Sequence, residues 1–145
     1  MLFQELKTQA SEFFVAMKHP VELVFFTDLV EASDSCEETL ELLNDLTPLS
    51  VLLSLQVLDF QKHAELAARL RVDKAKTIVV TRMENGQIVD FGIRIVGHPG
   101  GYELSALVNA ILLVSTGKAD LAPETVDYLH NLKKQMVLQV FSTPT

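Results

Sequence analysis

The order of hydrophobic patterns along this 145-residue chain predicts an α/β fold in three layers, with a mixed central sheet of about four strands and helices on both faces. Three observations carry that expectation. The run Val21-Glu22-Leu23-Val24-Phe25-Phe26-Thr27 is almost continuously β-branched and aromatic, as in a strand covered on both faces and central in its sheet. One helical stretch later, Leu53-Ser54-Leu55-Gln56-Val57 alternates apolar and polar residues, as a strand with one drier face does. Two further apolar runs flank Glu84-Asn85-Gly86, and Asn-Gly between such runs is the strongest short-range hairpin signal, so the last two strands are antiparallel.

The remaining elements follow in order. Leu2, Phe3, Leu6, Ala10, Phe13, Phe14 and Met17 recur at three- and four-residue steps and form one face of a leading helix, which His19-Pro20 ends. Ser33-Asp34-Ser35-Cys36-Glu37-Glu38 sets helix-capping residues and first-turn acids ahead of an apolar stripe at Cys36, Leu40, Leu43 and Leu46, and Pro48 closes that second helix. A short helix is built on Ala64, Ala67 and Leu70. The hairpin strands are Thr77-Ile78-Val79-Val80-Thr81 and Gln87-Ile88-Val89-Asp90-Phe91. After Gly97-His98-Pro99-Gly100-Gly101 comes a helix with Leu104, Leu107, Val108, Ile111 and Leu112 on one side. In the last 29 residues, Pro123 suits the first turn of a helix faced by Val126, Leu129 and Leu132, and Met136-Val137-Leu138-Gln139-Val140-Phe141 reads as a strand.

A leading β-α-β unit followed by a hairpin and a closing helix is the thioredoxin-like plan. Composition narrows the function. With 48% hydrophobic and 21% charged residues the chain is built to bury a core without disulfides or a structural metal. Twelve Lys and Arg against 19 Asp and Glu give a net charge of −7, which argues against nucleic acid or an anionic membrane surface as partners. The N-terminus has no secretory pattern and no apolar stretch approaches a membrane span, so the expected address is cytoplasmic. One cysteine forms no internal disulfide, and His19, His63, His98 and His130 show no metal-ligand spacing with Cys36 or each other. No cofactor and no metal are expected.

An open α/β sheet places its functional loop after the first strand, here residues 27–35. A thioredoxin-like redox site would carry Cys-x-x-Cys there, at a helix N-terminus that favours the thiolate. The sequence offers Ser33-Asp34-Ser35-Cys36. Ser33 stands where the attacking thiol would be, and a hydroxyl caps a helix but does not exchange with a disulfide. Asp34, Glu37 and Glu38 beside Cys36 oppose a thiolate. Cys36 reads as a half-buried residue of the apolar stripe, with a mixed-disulfide thiol as the alternative. In the glycine-rich turn, Gly100 and Gly101 permit backbone angles other residues resist, Pro99 stiffens it, and Glu103 favours the helix dipole. The turn has neither the lysine of a P-loop nor the spacing of a dinucleotide fingerprint.

From Phe13 to Thr145 the chain resembles the N-terminal half of the tandem glutaredoxin-like protein disulfide oxidoreductases, and also the paired thioredoxin folds that begin the flavoprotein subunit of alkyl hydroperoxide reductase. The residues that carry the resemblance are His19-Pro20-Val21-Glu22-Leu23, Asp59-Phe60, Arg71-Val72-Asp73, Asp90-Phe91-Gly92, the element Gly97-x-Pro99-x-Gly101-x-Glu103 ahead of a helix, and Val140-Phe141-Ser142-Thr143-Pro144-Thr145. The resemblance implies protein disulfide exchange as the parent activity and a second thioredoxin-like unit as the packing partner. Two departures from its redox pattern matter. Ser33 occupies the attacking position, on an alignment with one inserted loop residue, and Lys76 stands where redox-active members carry a cis-proline just before the third strand. At Lys76 an ordinary trans peptide is expected. The first unit is then a scaffold or docking unit without activity of its own.

An offset of 115 residues pairs Phe13, Phe14, Met17 and Lys18 with Tyr128, Leu129, Leu132 and Lys133, and Leu23, Phe26 and Thr27 with Leu138, Phe141 and Ser142. Residues 1–116 thus read as one thioredoxin-like unit, and 117–145 as a linker, helix and first strand of a second, whose Cys-x-x-Cys is expected beyond Thr145. The competing expectation is an interaction module that docks a partner protein or a second copy of itself through the end strand or the 27–35 loop.

Overall fold

A computed structural model describes residues 4–28 and 34–143. Helix α1 (Gln4–Phe14) leads into strand β1 (Val21–Thr27), then helix α2 (Asp34–Leu46), a 3-10 turn (Thr47–Leu49), strand β2 (Leu53–Asp59), helix α3 (Ala64–Arg69), strands β3 (Thr77–Glu84) and β4 (Gln87–Val96), helix α4 (Glu103–Thr116) and helix α5 (Pro123–His130). The sheet order is β2-β1-β3-β4. Strand β1 runs parallel to β2, with Val21 opposite Leu53 and Thr27 opposite Asp59, and antiparallel to β3, with Leu23 opposite Val80. Strands β3 and β4 form the antiparallel hairpin, turned at Asn85 and Gly86, both at positive φ (51° and 75°), as a two-residue hairpin of matching twist requires.

Strand β1 is central because its side chains can be nowhere else. Val21, Leu23, Val24, Phe25 and Phe26 are wholly buried. The odd-numbered ones face a large cluster built with Ala10 and Phe14 of α1, Leu42, Leu43 and Leu46 of α2, and Leu107, Ile111 and Val114 of α4. The even-numbered ones face a smaller cluster with Leu58, Ala67, Leu70, Val72 and Val79 under α3. One face of the sheet therefore carries three helices and the other carries α3 alone.

Two polar devices fix the ends. Ser115 of α4, fully buried, accepts the backbone N–H of Lys18 (2.9 Å) and His19 (3.1 Å) and donates to the His19 carbonyl (2.7 Å), so the turn entering β1 has no unsatisfied group there. Arg82 of β3 donates from Nε (2.9 Å) and Nη2 (2.6 Å) to the Val114 carbonyl, near the C-terminal end of α4 where Gly117 (φ 68°) caps it, and its guanidinium lies 4.9 Å from the centre of the Phe91 ring.

The sequence expectations hold in kind but shift at the edges. β3 and β4 extend to Glu84 and Val96, beyond the apolar runs that announced them. Phe13, placed on the inner face of the first helix by spacing, is 57% exposed, and Ala10, Phe14 and Met17 carry that contact instead. The end strand is a correction. α5 forms with Pro123 in its first turn, but residues 135–143 form no strand among the described residues and their apolar side chains face water. An extended run is a strand only when a neighbour supplies the ladder, and neither sheet edge of this chain does so.

Two carboxylates on the α3 face titrate in opposite senses. Burial among the β1 neighbours raises the Glu22 carboxyl above its ordinary range, so its contribution is complete in acid and is lost as pH rises through the folded-state value. Hydrogen bonding from Arg94, outweighing burial, lowers Asp90; its contribution is present above the unfolded value and lost as pH falls through the folded one. Arg94 also donates to the Leu70 carbonyl, tying β4 to the end of α3. At pH 7 urea unfolding should show Glu22→Gln more stable than the parent by up to about 0.5 kcal/mol, discounted for solvent screening, and Asp90→Asn less stable by about 1 kcal/mol. Both differences should shrink toward pH 3; a pH-independent gap in either variant contradicts the assignment.

Candidate functional site

At one end of the sheet the C-termini of β1 and β2 meet the start of β3 and the end of β4. Thr27 lies opposite Asp59, Phe26 opposite Thr77, and Thr77 opposite Val96. Helix α2 begins beside this end, and the turn 97–101 between β4 and α4 closes over it. Ser33 lies outside the described residues. The other candidate residues can be placed one by one.

Cys36 is the third residue of α2 and is buried, 8% exposed, with its thiol unpaired in any disulfide. It shares the inward stripe of the helix with Thr39, Leu43 and Leu46, while Asp34 and Glu37 of the first turn face water and occupy the positive end of the helix dipole. The sulfur therefore sits as a small hydrophobe at the edge of the core.

Lys76 adopts a left-handed backbone (φ 61°) through a trans peptide. Its N–H donates to the Phe26 carbonyl at 2.7 Å, and its carbonyl accepts the N–H of Gly97 at 2.8 Å. Both main-chain groups are thus engaged inside the fold, joining the end of β1 to the residue after β4. A proline has no N–H to give and cannot reach a positive φ. The loop before β3 is organised around a residue whose N–H donates into the fold.

The glycine-rich turn is held by a contact the sequence does not announce. Thr39, 2% exposed, donates its hydroxyl proton to the Ser35 carbonyl at 2.7 Å, and its oxygen lies 3.0 Å from Nδ1 of His98. With the hydroxyl hydrogen used on Ser35, the hydrogen between Thr39 and His98 belongs to Nδ1, and Nε2 lies over the turn. A Cβ at Gly100 would stand 2.7 Å from that Nε2. Gly100 is thus required for the close approach of the imidazole, while left-handed angles belong to Gly97 (φ 91°) and Gly101 (φ 58°), so the reason expected for Gly100 is corrected and that for Gly101 stands. Pro99 is buried. Glu103 opens α4, at the positive end of its dipole, and accepts a hydrogen bond from the Ser142 hydroxyl, so the C-terminal tail returns across this turn. His98, Gly100, Gly101, Tyr102, Glu103, Ser142 and Thr143 line a shallow cleft of about 310 Å³.

Thr39 and His98 are the residues that sequence reasoning missed. The only advance signal for Thr39 is a hydroxyl three residues after Cys36 on an inward stripe, where a buried polar group demands a partner. Among the described residues no three His, Cys, Asp or Glu side chains gather where they could hold a metal ion, and no helix is long and apolar enough to cross a membrane.

No family model matches the sequence, and no curated protein matches it as a relative. Solved structures do match. The N-terminal domain of the alkylhydroperoxide reductase AhpF from Enterococcus faecalis superposes with a TM-score of 0.80 at 20% identity, over 92% of this chain and 62% of that one. A cysteine-to-alanine variant of AhpF from the same organism gives 0.77 at 22% identity, over 92% and 62%. A protein disulfide oxidoreductase from Aeropyrum pernix gives 0.77 at 24% identity, over 92% and 56%. The fold is thioredoxin-like, and the chain spans about three-fifths of the length of these three chains.

Two substitutions test this arrangement. Lys76→Pro should destabilise the fold by roughly 3 kcal/mol or more in urea unfolding, because it removes the bond to Phe26 and forbids the backbone angle. Gly100→Ala should cost about 1–3 kcal/mol, and the loss should shrink in a His98→Ala background, since the crowding atom is then gone. Equal losses with and without His98 would show that the imidazole is not what the glycine makes room for.

Proposed function

We propose that this chain is a redox-inactive thioredoxin-like unit of a cytoplasmic thiol–disulfide exchange protein, a scaffold for a cysteine pair carried on a second thioredoxin-like unit. The observation that carries the reading is the state of its one thiol. Disulfide exchange needs one thiolate to attack a sulfur of the substrate disulfide, releasing the other sulfur as thiolate, and a second thiol to displace the first from the mixed disulfide. This chain has a single cysteine, and Cys36 is buried on the core side of α2. The position before β3, which in a working site faces the substrate, has both Lys76 main-chain groups engaged internally. The fold shared with a disulfide oxidoreductase and with an alkylhydroperoxide reductase supports the assignment to this chemistry, and their greater length supports a second unit as the partner.

A second reading, a protein-interaction module with a thioredoxin-like fold, is favoured by one observation. Five apolar side chains of the tail, from Met136 to Phe141, are 62% to 92% exposed.

The two readings agree on chemistry. In an insulin-reduction assay with dithiothreitol, the chain should accelerate turbidity by no more than the Cys36→Ser variant does, that is, not above the reagent alone. Turnover at a rate comparable with a two-cysteine thioredoxin, abolished by Cys36→Ser, would overturn the redox-inactive assignment.

A further inference from the structure

The tail forms no strand within its own chain, and the sheet has one unprotected edge. At the far side, β4 is blunted as edge strands commonly are: Gly92 sits at φ 83°, the register with β3 slips at Val80/Thr81, and Asp90 and Arg94 stand charged along it. Strand β2 has none of these guards. Its seven residues, Leu-Ser-Leu-Gln-Val-Leu-Asp, include no glycine, proline or charge before Asp59, and they keep an unbroken register with β1. Because Phe60 N–H bonds inward to the Thr27 carbonyl, the two-residue alternation turns the Val57 N–H outward, and its side chain is 43% exposed. An uncharged edge of this length without a bulge is a template for another strand.

The tail has the matching chemistry. Met136-Val137-Leu138-Gln139-Val140-Phe141 is uncharged, free of proline and glycine, and β-prone, and six residues suit a seven-residue edge. Both donor and acceptor are on this chain, so a second copy can supply the occupant.

We infer that two copies of this chain exchange their tails, residues 136–141 of each adding as an antiparallel strand to the β2 edge of the other. The antiparallel sense brings Lys133 and Lys134, which precede the tail, to the Asp59 end of the acceptor strand. Reciprocal exchange half-buries each tail and a matching area of each edge, on the order of 800 Å² per chain, the size of a specific stable interface. Main-chain hydrogen bonds supply affinity, and alternate tail side chains meet the face that holds Val57. The inference rests on the interaction-module reading and names its partner.

Sedimentation velocity on the full chain tests it, with the oligomer expected to pass from monomer to dimer between about 5 and 200 µM. Leu138→Lys/Val140→Lys removes the donor without touching the core, and Val57→Pro removes an outward donor of the acceptor edge; each should weaken the dimer at least tenfold. Val57→Lys, which keeps the backbone intact, serves if the proline variant does not fold. Mixing the tail variant with the edge variant should give a heterodimer tighter than either variant's own dimer, though weaker than the parent's, since one intact tail then meets one intact edge. A dimer that survives the edge variants, or variants that fail to complement, overturns the exchange. A monomer at every concentration also overturns it, and amide exchange of residues 136–141 separates the cases. Rapid exchange leaves docking to another protein standing, whereas protection within a monomer overturns the docking reading too.

Discussion

Burying both faces of β1 dictates the rest of the molecule. Five of its seven positions hold apolar side chains with no exposed surface, and between them only Glu22 is half-buried. Removing Phe25 and Phe26 from water stabilises the fold by roughly 1.5–3 kcal/mol each, but only if the main chain between them is hydrogen-bonded on both sides. That condition requires β2 on one flank and β3 on the other, and it requires helices above and below. The parallel neighbour needs a crossover, which α2 provides, and the antiparallel neighbour brings its hairpin partner with it. The site at the end of the sheet is a by-product of the same constraint. Wherever β1 stops, its last carbonyls need partners, and Phe26 and Thr27 find them in the N–H groups of Lys76 and Phe60.

Those partners also set the order of that end of the sheet. At this end of the sheet the described main-chain and side-chain groups bond to one another. Lys76 bridges Phe26 and Gly97, Thr39 and His98 clasp the glycine turn to α2, and the first-turn acids of α2 face water where a thiolate would draw on the helix dipole. Each contact stabilises the fold locally. The unequal covering of the sheet follows the same logic: three helices share one face, while the lone α3 on the other leaves Glu22, Thr81 and the Asp90–Arg94 pair to finish it with polar bonds.

Residues whose environment is local were legible in the sequence. The β1 run, the Asn85-Gly86 turn, the helix of Leu104, Leu107 and Ile111, and Pro123 at the head of α5 all declare themselves through neighbours a few positions away. The missing part of the site is long-range. Thr39 and His98 are separated by 59 positions, and Lys7 and Asp45, which meet at 2.8 Å, by 38. Gly100 shows why composition alone misleads: it stands beside Gly101, yet one glycine answers a backbone angle and the other an imidazole above it. Nothing in the local pattern separates the two reasons.

The tail marks the same limit from the other side. α5 and the 136–141 run are comparable as sequence signals, yet only the helix is present, because a helix makes its i to i−4 hydrogen bonds within one segment and a strand needs a neighbouring strand for all of its own. Apolar alternation therefore states a preference for extension without naming the neighbour. In this molecule the neighbour must offer an edge that is long, straight and uncharged. Of the two edges, β4 has been bent and charged out of that role, which leaves β2, held straight by its seven-residue register with the buried strand. The constraint that organises the core thus also sets which surface of the sheet remains able to accept a strand.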